Sequence, residues 1–113
     1  MERYAVIADD FTGAGDAGVH FAAAGLRTAL VFAVAGIRRA FADHETVALS
    51  TESRFLPEAD AAERVKEAVR SCREAGAGMF FKKIDSTLRG NVAAEVRAAL
   101  NESGLTTALV CPA

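Results

Sequence analysis

The sequence predicts an α/β fold: a three-layer sandwich with a mostly parallel sheet of about five strands. Three observations lead there. Short apolar runs rich in strand formers alternate with longer segments of helical periodicity along the whole chain. The apolar runs are nearly continuous, as strands buried on both faces are. Strand–helix–strand order calls for right-handed crossovers, which place helices on both faces of the sheet.

Residues 4–8 (YAVIA) form the first strand, with Asp9 and Asp10 at its exit. Residues 14–24 read as a helix stopped by Gly25, and their many small side chains suit close packing on a sheet. Residues 28–34 (TALVFAV) give a second strand, and residues 36–43 either a short helix or an irregular crossover. Residues 46–49 are a weaker third strand, leading into the polar STESR of residues 50–54. Pro57 opens the clearest helix, which runs to about residue 75 with Ala62, Val65, Val69 and Cys72 on one stripe. Residues 77–82 (AGMFFK) are a fourth strand. Asn91 is placed to cap a helix to about residue 102, with Val92, Val96 and Leu100 on one face. Residues 106–111 (TTALVC) read as a fifth strand cut off by Pro112 and Ala113. A sequence that stops directly after a core strand is expected to be a truncated part of a longer protein, the alternative being a small domain whose fifth strand lies at the sheet edge.

The 113 residues suffice for one compact domain, and the balance of 51% hydrophobic and 25% charged residues is that of a globular protein. With 13 basic and 15 acidic side chains and no basic tract, nothing favours a nucleic-acid partner. The start at Met1-Glu2-Arg3 is not that of a signal peptide, and no apolar stretch approaches a membrane span, so a cytoplasmic protein is expected. Cys72 and Cys111 lie far apart in apolar surroundings and read as buried free thiols. His20 and His44 have no companions at metal-ligand spacing, so no metal site is expected. The seven Phe and one Tyr are scattered and read as core filling.

In open parallel sheets, ligands bind beyond the carboxyl ends of the strands, and the unusual polar clusters all fall there. The first is ADDFTGAGD, residues 8–16. Gly13 and Gly15 allow a tight turn into the following helix, but the run is neither a dinucleotide fingerprint nor a P-loop. Strand alternation points Asp9 and Asp10 in opposite directions, so one at most faces a ligand directly. Either one of them binds or deprotonates a substrate hydroxyl, or both serve as caps and turn formers. Asp16 is placed in the first helical turn, where the dipole stabilises it.

The second cluster, KKIDSTLRGN at residues 82–91, suits a small polyhydroxy acid. Arg89 can clamp a carboxylate through two parallel hydrogen bonds, Lys82 or Lys83 can supply charge, and Asp85 can accept from sugar hydroxyls. Alternatively, an Asp85–Arg89 salt bridge merely holds the loop. Ser53 and Arg54 form a third cluster on the same rim. An α/β phospho-acceptor regulatory or binding module is the rival reading, since it too has acids after the first strand and a lysine after a later one.

IADDFTGAGDAG (residues 7–18) and KKIDSTLRGN, together with TESRFLPEADAAERV (residues 51–65), resemble the N-terminal domain of the four-carbon acid sugar kinases. The likeness spans essentially the whole chain. It implies that residues 1–113 are the partial acid-sugar-binding portion of a two-domain kinase whose C-terminal domain binds ATP with Mg²⁺. The substrate implied is a small acidic sugar such as a threonate, erythronate or 3-oxo-tetronate. By the resemblance Asp9 and Asp10 match the acidic pair, Ser53 and Arg54 the rim loop, and Lys83, Asp85, Ser86, Thr87 and Arg89 the second binding motif. Asp10 is then expected to orient or deprotonate the attacking hydroxyl, with Arg89 or Arg54 fixing the carboxylate. Two departures stand out. Ser50 takes a position that is often aspartate in the family, and the chain ends where the family continues through Phe-Pro and Gly-Arg into the ATP-binding domain. The portion present is expected to be inactive alone, and self-association is left open.

Overall fold

The computed structural model describes residues 2–111. Its strands are β1 (Tyr4–Ala8), β2 (Thr28–Val31), β3 (Thr46–Ser50) and β4 (Met79–Lys83). Its helices are α1 (Phe11–Ala23), α2 (Ile37–Asp43), α3 (Glu58–Glu74) and α4 (Val92–Ser103), with a 3-10 turn at Val34–Gly36 before α2. The described strands form one parallel sheet in the order β2-β3-β1-β4.

Register fixes which face each side chain meets. Ala5 and Ile7 of β1 join Val47, Leu49 and Val31 in a core with Ile37, Phe41, Val65, Ala68, Val69, Cys72 and Ala99, so α2, α3 and α4 cover this face. Val6, Ala8 and Ala48 point the other way and pack on Ala14 and Ala17 of α1. Gly18 brings α1 close: a β-carbon there would sit 3.4 Å from the Ala48 methyl. The result is a three-layer α/β sandwich. The chain moves one way across the sheet through α1 and the opposite way through α2 and α3. The covering face changes with it, as a single crossover hand requires.

Several features differ from expectation, among them β2, which ends at Val31 and not at residue 34, with Val34 entering the 3-10 turn. Residues 106–111 form no strand: they run exposed after Gly104, with Leu109 95% accessible, and among the described residues no strand pairs with the outer edge of β4. A run of strand formers gains stability only from the neighbours it packs on, and here it meets none. Pro112 and Ala113, expected to cut that strand off, lie outside the described residues. Helix α1 starts at Phe11, not residue 14, so Gly13 and Gly15 are helical and Asp16 lies in the second turn, exposed. Asn91 precedes α4 without a side-chain cap; its amide donates to Leu56 O at 2.9 Å. Cys111 is exposed, whereas Cys72 is buried as expected.

Candidate functional site

The helix after β1 lies on one face of the sheet, while those after its neighbours β3 and β4 lie on the other. Such a switch opens a crevice beyond the carboxyl end of the strand, here at Asp9 and Asp10. Two loops converge on it, residues 51–57 after β3 and residues 84–91 after β4. The first is docked by backbone bonds: Thr51 N–H donates to Ala8 O at 2.8 Å, and Ser53 N–H to Asp9 O at 3.0 Å.

Arg54 is the hub. Its Nε and Nη2 donate to the two Asp9 carboxylate oxygens at 3.2 and 3.1 Å. Nη1 lies 3.4 Å from Asp10 Oδ2, and Nη2 3.3 Å from Asp85 Oδ1. Only 10% of the Arg54 side chain is exposed. The Asp9 hydrogen bond, followed by the charges of Asp9, Asp10 and Asp85, holds its guanidinium above the usual value.

Asp85 is the second anchor. Arg89 grips it with Nε and Nη2, each at 2.9 Å, and the backbone N–H groups of Thr87 and Arg89 and the Thr87 hydroxyl all donate to Oδ2. Arg89, then Thr87, holds this carboxyl well below the usual carboxylate range. The Asp85–Arg89 bridge considered from sequence therefore forms, yet Arg89 stays 61% exposed. A guanidinium has five N–H donors, so Arg89 retains donors facing solvent.

Asp10 does two things. Its Oδ1 accepts from Gly13 N–H at 2.8 Å as the N-cap of α1, and its Oδ2 faces Arg54. Gly13 leaves room for this, since a β-carbon there would lie 2.6 Å from Asp10 Oδ1. The expected divergence of Asp9 and Asp10 is thus incomplete: both meet Arg54, because β1 ends at Ala8 and strict alternation ends with it.

Lys83 lies beside Gly13 on the α1 side, its ammonium donating to Ile84 O at 2.7 Å. Ser86 is exposed. Ser53 lies deeper than the rim position expected for it. Its side chain is fully buried and its hydroxyl donates to Glu95 Oε2 at 2.8 Å, so it does not line the rim surface. Lys82 also points inward, its Nζ 3.0 Å from Glu95 Oε1. Glu95, 1% exposed, escaped the sequence reading. Its signal was present, as a lone acid on the apolar stripe between Val92, Val96 and Ala99.

A cavity of about 170 Å³ opens at the β2 and β3 tips, lined by Phe32, Leu49, Ser50, Thr51, Glu52 and Arg64 among others. It shares the 51–52 backbone with the cluster but includes none of Asp9, Asp10, Arg54 or Asp85. Among the described residues, no group of three or more His, Cys, Asp or Glu is placed to hold a metal ion. Nor is any helix among the described residues long and apolar enough to cross a membrane.

The family profile described as a sugar-binding N-terminal domain matches residues 4–113. A D-threonate kinase of Bordetella bronchiseptica is 45% identical over 96% of this chain and 28% of its own length. A D-erythronate kinase of Heliobacterium modesticaldum is 36% identical over 92% of this chain and 24% of its own. A Bordetella bronchiseptica crystal structure, described as a domain of unknown function with bound citrate in a domain-swapped dimer, superposes with a TM-score of 0.77. It is 42% identical and matches 88% of this chain and 25% of that one. The chain spans about a quarter of the length of the curated relatives it matches.

Proposed function

The chain belongs to the four-carbon acid sugar kinase family, as its sugar-binding N-terminal part, and from that premise we propose that it holds a four-carbon acid sugar for ATP-dependent phosphorylation. One observation carries the reading. Arg54 draws the tips of β1, β3 and β4 together, and Arg89 stands beside it with donors still free.

The roles follow exposure. Arg89 clamps the substrate carboxylate, because Arg54 is consumed by three aspartates. Lys83 adds positive charge, and Ser86 and Thr87 offer hydroxyls. Asp10, 30% exposed against 6% for Asp9, is the acid that meets the attacking hydroxyl. Asp9 anchors Arg54. Phosphoryl transfer rests mainly on alignment and charge stabilisation, so this arrangement serves to hold one hydroxyl in line.

ATP with Mg²⁺, implied by the family, does not fit the described residues of this chain. The Asp10 carboxylate caps α1, Glu58 and Asp60 occupy the first turn of α3, and Glu95 that of α4. The N-termini of α1, α3 and α4, which would otherwise cradle phosphates, are therefore guarded by acids. Guanidinium groups, moreover, sit where a cation between the aspartates would. The nucleotide belongs to another part of the enzyme. Exposed Phe11 and Phe55 directly follow Asp10 and Arg54, exposed Leu88 precedes Arg89, and Phe32 stacks on Phe11; this apolar surface suits a second domain closing over the cluster. The phospho-acceptor module is disfavoured by the same filling of its cation seat. Self-association is proposed from the swapped dimer described for the related structure.

The test is calorimetric titration of the chain with D-threonate, D-erythronate and 3-oxo-tetronate, with the uncharged tetritol threitol as control. The reading expects at least one acid to bind, threitol to fail, and Arg89→Ala to abolish binding. Equal binding of threitol, or no binding of any acid, would refute it.

A further inference from the structure

We infer that Glu95 is a positioning residue of the acid-sugar site, acting through Ser53 on Arg54; this rests on the functional reading above. Glu95 is 1% exposed, yet lies on a helix whose other described acid, Glu102, sits at the surface facing Arg70. Burying a carboxylate is costly unless it is paired and hydrogen-bonded. Glu95 is paired through one oxygen and hydrogen-bonded through the other: Lys82 Nζ lies 3.0 Å from Oε1, which accepts no hydrogen bond, and Ser53 Oγ donates to Oε2 at 2.8 Å.

From Ser53 the network continues into the loop that bears Arg54. Ser53 Oγ lies 2.6 Å from Thr51 Oγ1, whose single proton is shared between Ser53 Oγ and Ala8 O, 3.0 Å away. Asn91, at the start of the same helix, donates to Leu56 O on the far side of Arg54. Helix α4 therefore grips the 51–57 loop on both sides of Arg54, at Ser53 and at Leu56. Lys82 fastens the same carboxylate to β4, whose exit carries Asp85 and Arg89. Glu95 thus sets the spacing between the loop that supplies the hub and the loop that supplies the clamp. A buried charge used this way fixes geometry more than it adds stability.

The experiment compares the parent chain with Glu95→Gln, Ser53→Ala, their double variant and Glu102→Gln. Readouts are the D-threonate and D-erythronate affinities, the melting temperature and the Arg54 Nε–H resonance. Losing an outer partner weakens metal sites by about 10- to 100-fold, and by analogy Glu95→Gln is expected to weaken acid-sugar binding at the lower end of that range. Ser53→Ala should weaken binding in the same direction, and the double variant should be no worse than Glu95→Gln alone. Both should shift the Arg54 resonance. Glu102→Gln, which removes a surface pair on the same helix, should leave affinity and resonance unchanged. Parental affinity and an unmoved Arg54 resonance in folded Glu95→Gln would overturn the inference. If Glu95→Gln does not fold, Ser53→Ala, which spares the Lys82–Glu95 pair, decides by the same criteria. If the parent binds none of D-threonate, D-erythronate and 3-oxo-tetronate, the functional reading fails, while the Arg54 resonance still decides whether Glu95 positions it.

Discussion

Arg54 and Asp9, 45 positions apart in the chain, form a two-pronged ion pair at 3.1 and 3.2 Å with both side chains nearly sealed from solvent. The planar guanidinium matches a carboxylate in a way an ammonium cannot, and its remaining edge reaches Asp10 and Asp85. One side chain therefore ties the exits of three strands. Its loss would leave Asp9 charged and buried without a partner.

Arg54→Met is accordingly expected to destabilise the chain by about 3–5 kcal/mol, the usual cost of removing one member of a buried pair. Arg54→Lys should fall between parent and Arg54→Met, since it restores charge but not the two-pronged geometry. Urea denaturation measures both. A midpoint unchanged in Arg54→Met would show that the pair does not hold the loops.

Asp10→Asn separates capping from chemistry, because asparagine caps helices as well as aspartate does. The variant should keep the parental melting temperature. Placed in a chimaera that carries this chain instead of the matching segment of the Bordetella bronchiseptica D-threonate kinase, it should reduce kcat on the order of 10²-fold or more. A near-normal kcat would remove Asp10 as the acid that meets the hydroxyl.

Asp85 makes stability depend on pH with a definite sign. Its folded carboxyl is held below the unfolded value of about 3.9, so the unfolded chain binds the proton more readily. The stabilisation is complete above that value and is lost as pH falls through it towards the folded one. Asp85→Asn should therefore lower the melting temperature at pH 7, with the gap from the parent closing below about pH 4. A gap that stays constant down to pH 2 would contradict this.

Gly90 adopts φ +89°, and a β-carbon there would lie 2.9 Å from Asp9 Oδ2 and 3.2 Å from Arg54 Cγ. Gly90→Ala meets both left-handed strain, about 1–2 kcal/mol, and a clash with the hub. It should weaken acid binding more than Gly25→Ala, which shares a positive φ but has open space around it. Equal binding by the two variants would argue against a tight fit over Asp9.

The two thiols should react at very different rates. Burial pushes the Cys72 thiol up to about 12, whereas Cys111 is exposed. A thiol reagent at pH 8 should label Cys111 quickly and Cys72 only after denaturant is added. Fast labelling of both in buffer would indicate that the α3 face opens readily.

Periodicity made α3 legible almost to its ends, although the buried stripe uses Ala61 where Ala62 was expected, a shift of one residue around the helix. Helix α1 starts before the turn that Gly13 and Gly15 suggest from sequence. The missing β-carbon of Gly13 in fact gives the Asp10 cap its space. Strand β3 read as weak from sequence, yet it is buried along its whole length between β2 and β1. The 106–111 run looked like a strand because composition records propensity and not the presence of a pairing partner.

By itself the sequence determined the α/β alternation, the parallel sheet and the three polar strand exits, because buried strands and amphipathic helices leave local periods that need no partner to be read. Only the tertiary structure decided which polar residues face one another. It turned Ser53 inward to Glu95, left Arg89 with free donors and made Arg54 the hub of three aspartates. Those pairings join residues up to 45 positions apart, and such contacts depend on the order in which strands lie side by side, which no local pattern records.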